Sequence, residues 1–145
     1  MTVLTHFEDA PIVDALLERF AARVANAREF ALQARVLLLV ADNGVPLDIA
    51  LGALAFEERC IARSSWWPAS PDVRLFTCSA EDLIVHKAFA GRDRDWSDVE
   101  RIVGVQGNQL NVSQILEELR PLAELKEDSH IVPKLEGILR KKTSP

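Results

Sequence analysis

The chain has 145 residues, of which 48% are apolar and 27% charged, with a formal net charge of −5. This length suits one ordinary domain with a sizeable core, and the composition excludes an intrinsically disordered protein. The acidic balance argues against a general nucleic-acid binder; the short basic run Arg140, Lys141, Lys142 reads as a solvated tail or a local phosphate contact. Cys60 and Cys78 have no metal-ligand spacing and read as buried small hydrophobes, while His6, His86 and His130 are scattered. With no signal peptide and no apolar run of membrane-spanning length, the expected setting is a reducing cytoplasm with no membrane partner.

Met1 to Leu4 is short and β-prone, and Thr5 with Glu8 has capping-box spacing. Ile12, Val13, Leu16, Leu17, Phe20 and Val24 then recur at helical spacing, which predicts one packing helix with Glu18, Arg19, Arg23 and Arg28 mostly on its other face. Val36 to Val40 is an apolar run of strand length. Asp42-Asn43-Gly44 supplies a hairpin turn, and Val45 to Leu51 returns as a second strand with Pro46 near its start. Period two puts Leu47, Ile49 and Leu51 on one side of that strand and Asp48 on the other beside the small Ala50. Gly52 interrupts the strand, Ala53 to Ala62 reads as a short helix, Ser64 to Asp72 as a loop broken by two prolines, and Val73 to Thr77 as a strand.

Ser79 and Asp82 repeat the capping spacing and open a helix that Leu83, Ile84, Val85, Ala88, Phe89 and Ala90 make apolar almost all round. Lys87 lies between Leu83 and Ile84 on that wheel, so its stem runs along the core and its head must reach a cleft or a carboxylate. Gly91 ends the helix. Arg92, Asp93, Arg94 and Asp95 form a charged link in which Asp95 caps a helix from Trp96 to Val103, closed by Gly104. Val112 to Arg120 and Pro133 to Lys142 read as two further helices separated around Pro121 to His130. The expected fold is α+β: a small mixed or antiparallel sheet flanked by helices, then a helical C-terminal half. The core is expected over residues 1–103, with a helical extension, 104–145, packed on it.

A carboxylate in mid-strand and an ammonium in a buried helix are both costly unless something compensates them. Their settings, LDIALGALAFE around Asp48 and EDLIVHKAFAGRDRDWSDVE around Lys87, resemble nucleotidyltransferases of the AbiEii and minimal-nucleotidyltransferase type, within the DNA polymerase β superfamily. The resemblance runs from about Thr2 to Leu139 and is most specific over Pro46 to Phe56 and Glu81 to Val99.

It implies a nucleotidyltransferase that moves a nucleotide from a nucleoside triphosphate onto a hydroxyl of RNA or protein with magnesium. Asp48 would be a catalytic metal ligand, Lys87 and Arg92 would bind the nucleotide, and Asp95 and Asp98 would support the same cleft. Asp48 and the head of Lys87 are then expected to open onto one concavity. The family's Gly-Ser turn and Asp-x-Asp pair are not found ahead of the first long helix, so the chain is expected to be a truncated or degenerate relative with negligible turnover. The alternative function is a non-catalytic interaction module, such as a degenerate toxin-antitoxin component, whose partner is antitoxin-like or a second copy.

The residues also fit plainer roles: Asp48 marking a sheet face open to water, Lys87 snorkelling to an acid, and Arg92, Arg94, Asp95 and Asp98 forming a salt-bridged helix start. Trp66 and Trp67 lie outside the expected site.

Overall fold

The computed structural model describes residues 2–4 and 8–143, with residues 2–4 and 142–143 described by backbone alone. Thr5 of the expected capping box and His6 thus fall outside the described residues. The chain divides between Ala62 and Arg63 into two units, earlier than the boundary expected after Val103. The division comes earlier because the helices after Arg63 pack with the C-terminal helices as one group.

In the first unit, Thr2–Leu4 (β1) is followed by Asp9–Arg19 (α1), Ala21–Ala22 (β2), Ala27–Ala34 (α2), Val36–Val40 (β3), Pro46–Gly52 (β4) and Ala55–Arg63 (α3), the last ending across the boundary. The four strands form one mixed sheet in the order β1-β4-β3-β2, with β1 parallel to β4 and the other pairs antiparallel. The β3–β4 hairpin is the one expected. Gly44 takes φ +81° in its turn, and its N–H donates to the Ala41 carbonyl at 2.8 Å. Alternation sends Leu37, Leu39, Ile49 and Leu51 into a core with Val13, Ala27 and Ala31.

The single helix expected through Val24 is instead two helices. α1 stops at Arg19, Phe20 is extended, and Ala21 and Ala22 pair with Val40 and Leu39. α2 starts only after Asn26, which has φ +49°. Phe20 and Val24 still pack against the core. The apolar spacing was therefore a true sign of burial, but edge pairing with β3 overrides helix propensity across Ala21 and Ala22.

In the second unit, Ser65–Ser70 (β5) and Val73–Thr77 (β6) form an antiparallel hairpin where a loop was expected at 64–72. Pro68 is accommodated because the ribbon is only two strands wide and its register shifts between Pro68 and Ser70. Ala80–Ala90 (α4), Asp93–Gln106 (α5), a 3-10 turn at Gly107–Gln109, Val112–Leu125 (α6) and Ile131–Thr143 (α7) follow.

α4 packs against α5, α6 and α7 and buries Ile84, Val85 and Ala88, facing a core that includes Val99, Ile115, Leu119 and Leu135. Its capping works as expected: the Ser79 side chain accepts from the Asp82 N–H, and Gly91 ends it at φ +73°. The Lys126 ammonium donates to the Phe89 carbonyl at 2.7 Å, answering the negative end of α4.

Several helix boundaries differ from expectation, most in α5 and α6. α5 begins at Asp93, so Asp95 lies in its first turn instead of capping it, and the helix passes through Gly104 to Gln106. α6 passes through Pro121, because Leu122 and Ala123 continue the buried stripe of Ile115 and Leu119 beyond it. The fold class is α+β, and among the described residues no helix is long and apolar enough to cross a membrane.

Ile49 and Leu37 are both buried and stand directly opposite each other on β4 and β3. Ile49→Ala is expected to lower unfolding free energy by about 2–5 kcal/mol, measured by urea denaturation. A loss below about 1 kcal/mol would show that this sheet face is not the first unit's core.

Candidate functional site

Four of the five expected site residues meet in the second unit. Lys87 projects from α4 and donates to Asp95 Oδ1 at 3.2 Å and Asp98 Oδ2 at 2.8 Å. Arg92, at the N-cap of α5, donates through Nε to Asp95 Oδ2 at 2.5 Å and through Nη2 to Oδ1 at 3.4 Å. Asp95 is fully buried, whereas the Lys87 side chain keeps 29% of its exposure. The cluster forms because α5 starts right after the glycine that ends α4, bringing its acidic first turn beside the preceding helix. Trp96 fixes the same corner by donating Nε1–H to the Gly91 carbonyl at 3.1 Å.

The electrostatics follow from these contacts. The Arg92 guanidinium, helped by Lys87 and opposed by burial, holds the Asp95 carboxyl down at about 2. Asp98 is lowered by Lys87, and Lys87 is raised by Asp98 and Asp95. All three are therefore charged at neutral pH. Chemically the cluster is a neutralised salt-bridge network joining two helices, with one partly exposed ammonium.

A second network was missed by the sequence reading. Asp82, fully buried on α4, accepts from Arg63 Nη2 at 2.5 Å and Nε at 3.1 Å, while Arg63 Nη1 donates to Glu118 Oε1 at 3.0 Å. The Ser79 hydroxyl also donates to Asp82 Oδ2 at 3.1 Å. The available signal was the carboxylate of the capping box itself. On a helix buried nearly all round, a first-turn acid needs a cationic partner as well as a dipole.

Asp48 belongs to the first unit and is described there. As period two predicts, it stands opposite the core-facing Ile49 and Leu51, paired across the ladder with Leu38, and its side chain is 69% exposed. Its carboxylate accepts from Arg23 Nη2. Arg23 is held there because β2 precedes it and its own N–H donates to the Leu38 carbonyl at 3.0 Å. The structure thus joins Lys87, Arg92, Asp95 and Asp98, and gives Asp48 a guanidinium partner that the sequence reading had placed on a helix.

Magnesium, which the resemblance implies, finds a poor fit. Among the described residues no three of His, Cys, Asp and Glu are grouped as metal ligands, and the expected ligand Asp48 faces a cation. No protein-family model matches the chain, and no curated protein sequence matches it.

Because the Asp95 carboxyl is depressed in the folded state, its stabilising contribution is complete above its ordinary value near 4 and is lost as pH falls towards about 2. The midpoint of urea unfolding should fall steeply over that interval. Asp95→Asn should be less stable at pH 7 and lose less on acidification; an unchanged acid slope would show that Asp95 is not held in this network.

Asp82→Ala takes from Arg63 its fully buried carboxylate partner and is expected to cost about 3–5 kcal/mol by the same measurement.

Proposed function

We propose that this chain is a nucleotidyltransferase-like binding module that does not itself transfer nucleotides. The observation that carries this reading is the saturation of its charges: Lys87 already serves two carboxylates, Arg92 serves Asp95, and Asp48 accepts from Arg23. A triphosphate would have to compete with those carboxylates for Lys87 and Arg92, and magnesium would have to displace a guanidinium from Asp48 while taking most of its ligands from water and phosphate. Transfer chemistry depends on preorganised charge aimed at the developing transition state, and here that charge is spent on holding helices together.

The module reading draws further support from the β5–β6 hairpin, whose Trp66 and Phe76 rings pack at 5.3 Å between centroids yet stay more than half exposed. Such a surface suits a protein partner, whether an antitoxin-like protein or a second copy.

One observation favours the active reading. Asp48 lies on an open sheet face beside the small Ala50, which leaves room for an incoming ligand. In that reading a nucleoside triphosphate would be the donor and an RNA or protein hydroxyl the acceptor.

Incubating the purified chain with labelled nucleoside triphosphates, magnesium and a mixture of RNAs and proteins separates the two. The expected result is no label transfer above that of Asp48→Asn. Robust transfer abolished by Asp48→Asn, with the variant still folded by circular dichroism, would overturn the proposal.

A further inference from the structure

The β5–β6 hairpin, the start of α4 and the end of α5 border a cavity of about 480 Å³, lined in part by Trp67, Ser79, Glu81, Leu83, Gln106 and Gln109. That volume lies within the range of roughly 300–1,000 Å³ usual for small-molecule sites. All of these residues belong to the second unit, apart from Asp48 and from the Lys87 network.

The two faces of the ribbon are distinct. Trp67 pairs across the strands with Leu75, and Trp66 with Phe76, so alternation sends the two indoles to opposite faces. Trp67 borders the cavity and is 61% exposed, leaving its π-face open to a ligand. Gln106 and Gln109 flank the turn at Gly107, whose φ of +55° suits glycine. Among the described residues neither glutamine side chain has a hydrogen-bond partner, so each amide keeps both donors and its acceptor for a ligand.

An apolar π-surface with two unspent amides matches a heteroaromatic ring whose edge carries both donors and acceptors, as a nucleobase does.

The charge around the cavity narrows the choice. Among the described residues Glu81 is the one charged member of its lining, and one of its oxygens already accepts from the Asn111 N–H at 3.1 Å. The other oxygen suits a sugar hydroxyl and repels phosphate, while the positive end of α4 is already answered by Glu81 and Asp82. We propose that this cavity binds an unphosphorylated nucleoside, its base stacked on Trp67 and read by Gln106 and Gln109. The inference is independent of whether the chain transfers nucleotides.

Calorimetric titration of the full chain with adenosine, guanosine, cytidine and uridine tests it, with the matching monophosphates and a short single-stranded oligonucleotide as further arms. At least one nucleoside is expected to bind, and its monophosphate and the oligonucleotide to bind more weakly. Trp67→Ala should weaken binding about tenfold or more, as base–aromatic stacking implies, while Trp67→Phe keeps most of it. The double variant Gln106→Leu, Gln109→Leu should flatten the preference among the four bases.

No binding of any nucleoside at millimolar concentration would overturn the proposal. So would tighter binding of a monophosphate or the oligonucleotide, or an affinity unmoved by Trp67→Ala. If Trp67→Ala fails to fold, Trp67→Phe and the glutamine double variant decide by the same titration.

Discussion

Helix α4 is apolar enough to be buried and yet carries, besides Glu81 at its start, the charges of Asp82 and Lys87, and the need to satisfy these two organises the second unit. Five residues apart, the two side chains leave the helix at roughly 140° to one another, so no single partner serves both. Asp82 is met by Arg63 and the Ser79 hydroxyl, with Glu118 of α6 sharing the arginine. Lys87 is met by Asp95 and Asp98 of α5. Each solution ties α4 to a neighbouring part of the unit. Ion networks of this kind contribute little beyond what an apolar core would, but they discriminate strongly against packings in which a buried charge lacks its partner.

The first unit meets a related demand through Arg35. This residue ends α2 at φ +53°, and its guanidinium donates to Asp9 at the start of α1 and to the carbonyls of Leu51 and Gly52 at the end of β4. One side chain thus closes a helix and fixes where the second hairpin strand finishes. The left-handed backbone at Arg35 is a local cost offset by these bonds. The same unit gives Asp48 its partner only because α1 stops early, since a continuous helix would leave Arg23 without the strand pairing that holds it beside β3.

What was legible in the sequence was what local rules decide. The β3–β4 hairpin followed from its turn residues, the Asp48 side of β4 from period two, the burial of α4 from apolar residues almost all round it, and its ends from Ser79 and Gly91. The carboxylate partners of Lys87 were foreseeable because Asp95 and Asp98 lie within the next helix. The errors arose where tertiary pairing competes with a local signal. Ala21 and Ala22 are good helix formers that an open strand edge recruited, and Pro68 reads as a strand breaker until the strand is seen to belong to a two-stranded ribbon. Arg63, Asp82 and Glu118 are too far apart in sequence for any spacing rule to join them.

The β5–β6 ribbon is wet on both sides and pairs with no further strand among the described residues, which leaves two outer edges of unsatisfied backbone groups. Combined with Trp66, Trp67, Leu75 and Phe76, such edges would template fibril growth between copies if they were straight and fully armed. Pro68 removes one donor from β5, and the register shift beside it bends the edge out of line. The ribbon is thus interrupted where Pro68 and the unmatched Ala69 fall, which works against edge-to-edge pairing with a second copy.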